Sequence, residues 1–412
     1  MATSKQGKPT GSKVKAATTI DAAALAATTK HHPGRTGKGG RTFSSDPIPP
    51  AFHTIVDPTK NPTQPWRDLP APTGLPPFHL ALEAVLSEEA IATINNSGTM
   101  VFHSVGDTGG VNTPTQIDNV ATYMEKDFAA TDLAAHPSFF YHVGDVVYYD
   151  GETPNYYPEF YEPYISYPAP IFAIPGNHDG DIDDQFPETS LAAFVRNFCS
   201  QVPLTTPEAK DAPRDAMTQP NVYWTLETPL ATFIGLYSNC PEGGQLSQAQ
   251  IDWFQSELEN APTDRALIVA VHHPIYSAYG PKPGSQHLYD FLNNACVAAN
   301  NRTPHLVLTG HVHNYQRFTG TLAGKPVPCI VAGAGGYNLR LHTLSKAFHN
   351  AKLPIEMAGS DGRLENFNDS QHGYLKITVT KRNVGVEYFA VPDASSPATK
   401  PLKPFDTLNV AL

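Results

Sequence analysis

Five short apolar runs in this 412-residue chain each end in residues able to bind a cation or move a proton. MVFHSV runs into Gly106-Asp107, SFFYHV into Gly144-Asp145, PIFAIP into Gly176-Asn177-His178, ALIVAV into His272-His273-Pro274, and HLVLT into Gly310-His311-Val312-His313. One aspartate after a strand is commonly a turn or cap residue, and one histidine is commonly a hydrogen-bonded core residue. Five deliveries change that reading, because turns have no need of His-x-His, Asn-His and Asp together. Carboxylate oxygen, amide oxygen and neutral imidazole, with no cysteine among them, suit borderline to hard ions such as zinc, manganese or iron. A single catalytic zinc needs three protein ligands, whereas Asp107, Asp145, Asn177, His272, His311 and His313 offer six and Tyr148 a seventh, so two ions fit better than one. A carboxylate shared between cations about 3.5–4 Å apart is a common arrangement for in-line displacement at phosphorus.

The ordered set GDTGG (106–110), GDVVY (144–148), GNHD (176–179), HHPIY (272–276) and GHVHNYQR (310–317) resembles the calcineurin-like metallophosphoesterases, and within them the purple acid phosphatases. The match spans Met100 to Gly336. Two details select the purple-acid branch: the first motif is Asp-x-Gly, where most relatives have Asp-x-His, and a tyrosine stands three residues after Asp145. The resemblance implies an α/β fold of two mixed β-sheets packed as a sandwich and flanked by helices. It implies two metal ions. Asp107, Asp145, Tyr148 and His313 would hold the first, ferric iron, and Asp145, Asn177, His272 and His311 the second, Zn2+, Mn2+ or Fe2+, with Asp145 as the bridge. His178 would face the substrate, giving a proton to the leaving oxygen or hydrogen-bonding the phosphate, while His273 takes a structural role. The family's further substrate-side histidine has an approximate counterpart in His287, which lies past a GPKPG insert and reads equally as a surface residue.

The implied reaction is hydrolysis of a phosphate ester by a metal-activated hydroxide, with monoesters as the leading substrates. One rival is a phosphodiesterase acting on cyclic nucleotides, nucleotides or phospholipid head groups, against which the Asp-x-Gly motif counts. Another is a non-catalytic scaffold or binding protein that keeps the fold, against which the complete ligand set counts. No Gly-x-Ser-x-Gly turn, His-Glu-x-x-His helix or Gly-Lys-Ser/Thr phosphate loop offers a different chemistry.

Such residues need rigid elements behind them. The apolar runs read as buried strands, and helix-compatible spacing separates several of them, over Gln116–Ala130 and Gln286–Ala299. Ser247 is placed to cap a helix whose apolar face holds Trp253, Phe254 and Leu258. NVYWTLETPLATFIGLYSN and YLKITVTKRNVGVEYFAV read as strand–turn–strand units, the second turning through Arg382-Asn383, so the sheets are expected to be mixed. The stretch His79–Ile94 has helical spacing and is where ordered structure is expected to begin. Leu339–Asp369 matches no motif and reads as a lid or a surface excursion. These elements divide the chain into a basic, proline-rich tail or wrapping segment, residues 1–77, and a catalytic domain, residues 78–412.

Composition narrows the class further. Hydrophobic residues at 40% and aromatics at 10% exclude wholesale disorder, 39 prolines mark a loop-rich chain, and no apolar run approaches the ~18 residues of a membrane helix. The net charge of −11 is uneven, since residues 1–45 hold eight basic residues against Asp21 alone. The acidic, aromatic-rich remainder is a poor nucleic-acid surface, and the partner that the resemblance implies is a small phosphate ester. Cys199, Cys240, Cys296 and Cys329 form no Cys-x-x-Cys pair and read as ordinary thiols. The first thirty residues hold no apolar h-region, which gives a cytoplasmic expectation, although a leader already removed would leave the same sequence.

Overall fold

The computed structural model describes residues 68–111, 113–181, 189–240, 244–395 and 401–412. Most of the expected tail, residues 1–67, lies outside the described residues. Within its described part, the amides of Thr73 and Gly74 donate to the Pro220 carbonyl, tying that segment to the body.

Among the described residues the strands form two mixed sheets. One runs, in spatial order, β15 (Asp406–Ala411), β14 (Asn383–Ala390), β13 (Gly373–Thr380), β2 (Thr99–Val105), β3 (Pro137–His142) and β4 (Ile171–Ala173). The other runs β1 (His79–Ala81), β5 (Trp224–Glu227), β6 (Ala231–Leu236), β7 (Ala266–Val271), β8 (Leu306–Thr309), β10 (Lys325–Ala332), β9 (Tyr315–Leu322), β12 (Arg363–Asn368) and β11 (Ile355–Glu356). The helices are α1 (Glu88–Ser97), α2 (Thr115–Glu125), the single turn α3 (Asn177–Gly180), α4 (Ala192–Phe198), α5 (Gln248–Asn260), α6 (Gln286–Ala298) and the short α7 (Lys346–Asn350).

The strands that lead into the site run parallel to one another within each sheet: β2 with β3 and β3 with β4 in one, and β7 with β8 in the other, where β6 also lies parallel to β7. Every residue of β6, β7 and β8 is buried, which is why these runs are continuously apolar rather than alternating. The sheets meet through aromatic side chains. Phe102 of β2 stacks on Phe139 of β3 and meets Phe233 of β6 edge-on at 5.0 Å, and Tyr141 lies flat against Phe233 at 5.3 Å. Each such buried ring stabilises the sandwich by about 1.5–3 kcal/mol.

Two local expectations need correction. His79–Ile94 is not one helix. His79–Ala81 pairs with β5, Leu82–Ala84 makes a 3-10 turn, and α1 starts only after Ser87, whose hydroxyl accepts from the Ala90 amide. The second strand–turn–strand unit turns through Lys381-Arg382, one residue earlier than expected, because Asn383 already pairs with Ala411. By contrast α2, α5 and α6 form where the spacing puts them, and Ser247 caps α5 through the Gln250 amide. Leu339–Asp369 is more than an excursion, since β12 adds to the sheet beside β9 and α7 precedes it.

The NYQR part of the fifth motif fastens the last strand. Tyr315 Oη donates to Asp406 at 2.7 Å, and Arg317 donates to the same carboxylate through Nε and a terminal nitrogen at 2.7 and 3.0 Å. Burial alone would raise the Asp406 carboxyl, but hydrogen bonds from Arg317, Asn366 and Tyr315 and the charge of Arg317 together outweigh it and hold the group below its ordinary 3.8. Asp406→Ala is expected to lower unfolding free energy in urea by about 3 kcal/mol, the low end for a broken buried pair. Arg317 keeps 16% exposure, so the loss is not larger. The stabilisation is complete above 3.8 and disappears as pH falls through the lower folded value, so the gap between wild type and variant should close there. A gap independent of pH would contradict this reading.

Candidate metal centre

Asp107 follows β2, Asp145 follows β3, Asn177 opens α3 after β4, His272 follows β7, and His311 and His313 follow β8. Parallel pairing puts these carboxyl ends on one side, where loops of both sheets converge. Asp107, Asp145 and His311 adopt left-handed backbone, with φ of 56°, 54° and 68°. Such conformations cost a non-glycine residue on the order of 1–2 kcal/mol and persist only where neighbours enforce them. Here the Asp107 amide donates to the Gly144 carbonyl at 3.0 Å, and the Gly310 amide to the His272 carbonyl at 2.9 Å. The loops are too close for side chains at the motif glycines. A Cβ on Gly176 would lie 2.1 Å from Asp145 Oδ1, and one on Gly144, itself at φ +98°, would lie 2.5 Å from His272 Nδ1.

The side chains meet in two groups that share one member. Ligand atoms of Asp145, His272 and His311 lie within 4.8 Å of one another, as do those of Asp107, Asp145 and His313, and all five residues are buried. Asn177 joins the first group, its Oδ1 accepting from His311 Nδ1 at 3.0 Å. Tyr148 lies against both, its hydroxyl donating to Asp145 Oδ2 at 3.2 Å. His272 donates through Nδ1 to the Val143 carbonyl, which turns Nε2 toward Asp145 at 3.2 Å. That is how a metal-binding imidazole is ordinarily oriented.

Asp107 Oδ1, His272 Nε2 and both ring nitrogens of His313 are buried without a hydrogen bond among the described residues. Each such orphan costs about 1–3 kcal/mol. A cation among these carboxylate and imidazole groups would satisfy them, so the donor set fits the metal pair expected from the sequence. Burial pushes the Asp107 carboxyl up to about 8, with His272 opposing and Asp145 adding to the rise. Burial would also raise Asp145 and lower His272, but their mutual attraction outweighs it: His272 rises to about 9 and Asp145 falls below the carboxylate range. His311 and His313 sit well below the ordinary imidazole value, through burial first, then through Lys282 at His311 and His342 at His313. Protons thus offset the pocket's negative charge where cations would displace them, and His311 and His313 are in the neutral form that ligates.

His178 stands beside this cluster. Its amide donates to Asp145 Oδ1 at 3.0 Å, its Nδ1 to the Tyr149 carbonyl at 2.8 Å, and its ring lies 4.5 Å from that of Tyr148. His273 pairs with the Ser238 hydroxyl at 2.8 Å, and its ring lies 4.4 Å from His311. His287 is not brought to the cluster. It is exposed on the first turn of α6, and no contact joins it to the other site residues among the described ones.

Several supporting residues were not singled out by sequence. The Asp179 carboxylate accepts from the amides of Val146, Val147 and Gly176 and so ties the Asp145 loop to the Asn177 turn. His142 accepts from the Gly144 amide through Nδ1 and faces the Thr108 hydroxyl at 3.0 Å, linking the first two loops. His342, from the unmatched Leu339–Asp369 stretch, stacks on His313 at 4.2 Å and 9°, and its Nδ1 accepts from the His313 amide. Lys282, in the GPKPG insert, donates through Nζ to the His311 carbonyl at 2.8 Å. Asp179 had a signal, lying within GNHD, and Lys282 had one as the only charge in the insert. His342 had none, because its place depends on how a long connection returns.

The profile of the calcineurin-like phosphoesterases matches residues 100–315, the span that contains every residue of the two groups. A probable cyclic nucleotide phosphodiesterase of Coxiella burnetii is 26% identical over 196 residues, which are 45% of this chain and 64% of that protein. The chain therefore spans just under two thirds of that relative's length. Among solved structures, a purple acid phosphatase from yellow lupin (Lupinus luteus) seeds superposes with a TM-score of 0.52 at 15% identity, over 76% of this chain and 54% of that one. The anchor protein of the Plasmodium inner membrane complex superposes with a TM-score of 0.53 at 17% identity, over 76% of this chain and 89% of that one. Both likenesses are of fold.

Proposed function

Because the chain belongs to the calcineurin-like phosphoesterase family, whose members bind two metal ions, we propose that it hydrolyses phosphate monoesters at a dinuclear centre built on Asp145. The observation that carries this reading is the sharing of the Asp145 carboxylate by two convergent ligand groups. Asp107, Asp145, Tyr148 and His313 would hold one ion, ferric iron. Asp145, Asn177, His272 and His311 would hold the other, Zn2+, Mn2+ or Fe2+. When bound, the pair supplies Lewis acidity toward the phosphoryl oxygens and a nucleophile at neutral pH.

The protein's own groups do the rest. The Val143 carbonyl fixes the His272 ring, and Asp179 fixes the loop bearing Asp145, so the ligands are set before substrate arrives. His178, oriented by the Tyr149 carbonyl, gives a proton to the leaving oxygen of the ester. Tyr148 is expected to lend colour: Tyr148→Phe should abolish a visible absorption band of the iron-loaded protein. A colourless, iron-free enzyme of full activity would contradict its assignment to ferric iron.

A second reading, a phosphodiesterase, is favoured by the Coxiella relative and opposed by the Asp-x-Gly motif at Asp107. Turnover of p-nitrophenyl phosphate against bis(p-nitrophenyl) phosphate separates the two, and a strong preference for the bis-ester overturns the monoester reading. A scaffold role, the reading from another class, predicts turnover of neither ester. No described helix is long and apolar enough to cross a membrane.

A further inference from the structure

The 274–285 loop leaves the His272-His273-Pro274 corner and returns to it, the Ser285 amide donating to the Pro274 carbonyl at 2.8 Å. Between these ends it meets the fifth motif and its support, the Ala278 amide donating to Gln316 Oε1 at 2.7 Å. The Tyr279 ring lies flat on His342 at 4.5 Å and 7°, and His342 in turn lies flat on His313. Three residues on, Lys282 reaches the His311 carbonyl. The turn between them is closed by the Lys282 amide donating to the Tyr279 carbonyl at 3.0 Å. Pro281 and Pro283 flank the lysine and restrict its backbone, so little ordering is left for a ligand to impose. Lys282 is half-buried where His311 and His313 are buried, and its ammonium lies at the His311 carbonyl.

We propose that Lys282 binds the substrate phosphate, its ammonium taking a non-bridging oxygen of a dianionic monoester at the rim of the metal cluster. The inference rests on the phosphoesterase reading above and adds the residue that selects charge. Lys282 acts electrostatically on Asp107, Asp145, His311, His313 and His342, so a ligand seated among them feels it too. A phosphate monoester carries close to two negative charges at neutral pH and a diester one, and a fixed cation therefore favours the monoester. It also counters the repulsion of a chain with net charge −11.

The test compares metal-loaded full-length wild type with Lys282→Met, which keeps an apolar stem, and Lys282→Arg, which keeps the charge. Equilibrium binding of inorganic phosphate is measured first, then kcat and KM on the mono- and bis-esters. Lys282→Met is expected to weaken phosphate binding and raise KM for the monoester by about tenfold or more, with a smaller change for the bis-ester, and Lys282→Arg to restore most of both. Unchanged phosphate affinity in Lys282→Met overturns the proposal. So does an equal loss on both esters accompanied by a lower melting temperature, which marks a tether for the loop only. If wild type turns over neither ester the phosphoesterase reading fails, and the phosphate-binding comparison still decides whether Lys282 is an anion site.

Discussion

Asp145→Asn is expected to lose bound metal and to lower kcat/KM by about four orders of magnitude, the scale of several kcal/mol of transition-state charge stabilisation. Asparagine keeps an oxygen to accept the His178 amide, so the local backbone has its partner. What it removes is the charge that both ligand groups share and that holds His272 protonated at up to about 9. His272 in the variant loses the attraction that opposes its burial. The metal-free variant should therefore be less stable than metal-free wild type, because removing one partner of a buried pair leaves the other uncompensated. Retention of both metal and activity would show that Asp145 is no bridge.

His178→Ala should give the opposite pattern. His178 holds the cluster through its backbone amide, which alanine retains, and lends its ring to the reaction. Metal content should stay at the wild-type level while kcat falls by about 10²–10⁴-fold, the range for a lost general acid. The fall should be smaller on esters whose leaving group is a stable anion, since these need little protonation. An unchanged kcat on an alkyl phosphate would remove His178 from the reaction, and loss of metal would recast it as a support for Asp145.

The convergence of the ligand side chains was legible because it obeys simple rules. A strand buried on both faces must be continuously apolar, and in a parallel sheet its carboxyl end is where side chains of neighbouring strands meet. Asp107, Asp145, Asn177, His272, His311 and His313 stand at such ends and do converge. What stayed hidden depends on tertiary return. His79–Ala81 has helical spacing, yet pairing with β5 gives it a better use for its backbone groups. His342 comes from a stretch without any motif and still lies flat on His313. His287 and Lys282 are five residues apart, and only the histidine was offered, as an approximate counterpart implied by the family resemblance. The prolines and glycines of the insert bring the lysine to His311 and leave His287 exposed on α6. Asp179 and His142 serve backbone amides, a role that residue type does not announce.

Elemental analysis of purified protein, wild type beside Asp145→Asn, tests the central claim most directly. A shared carboxylate predicts two metal ions per wild-type chain and loss of occupancy at both positions from the one substitution. A single ion per chain, or a variant that still carries two, would contradict it.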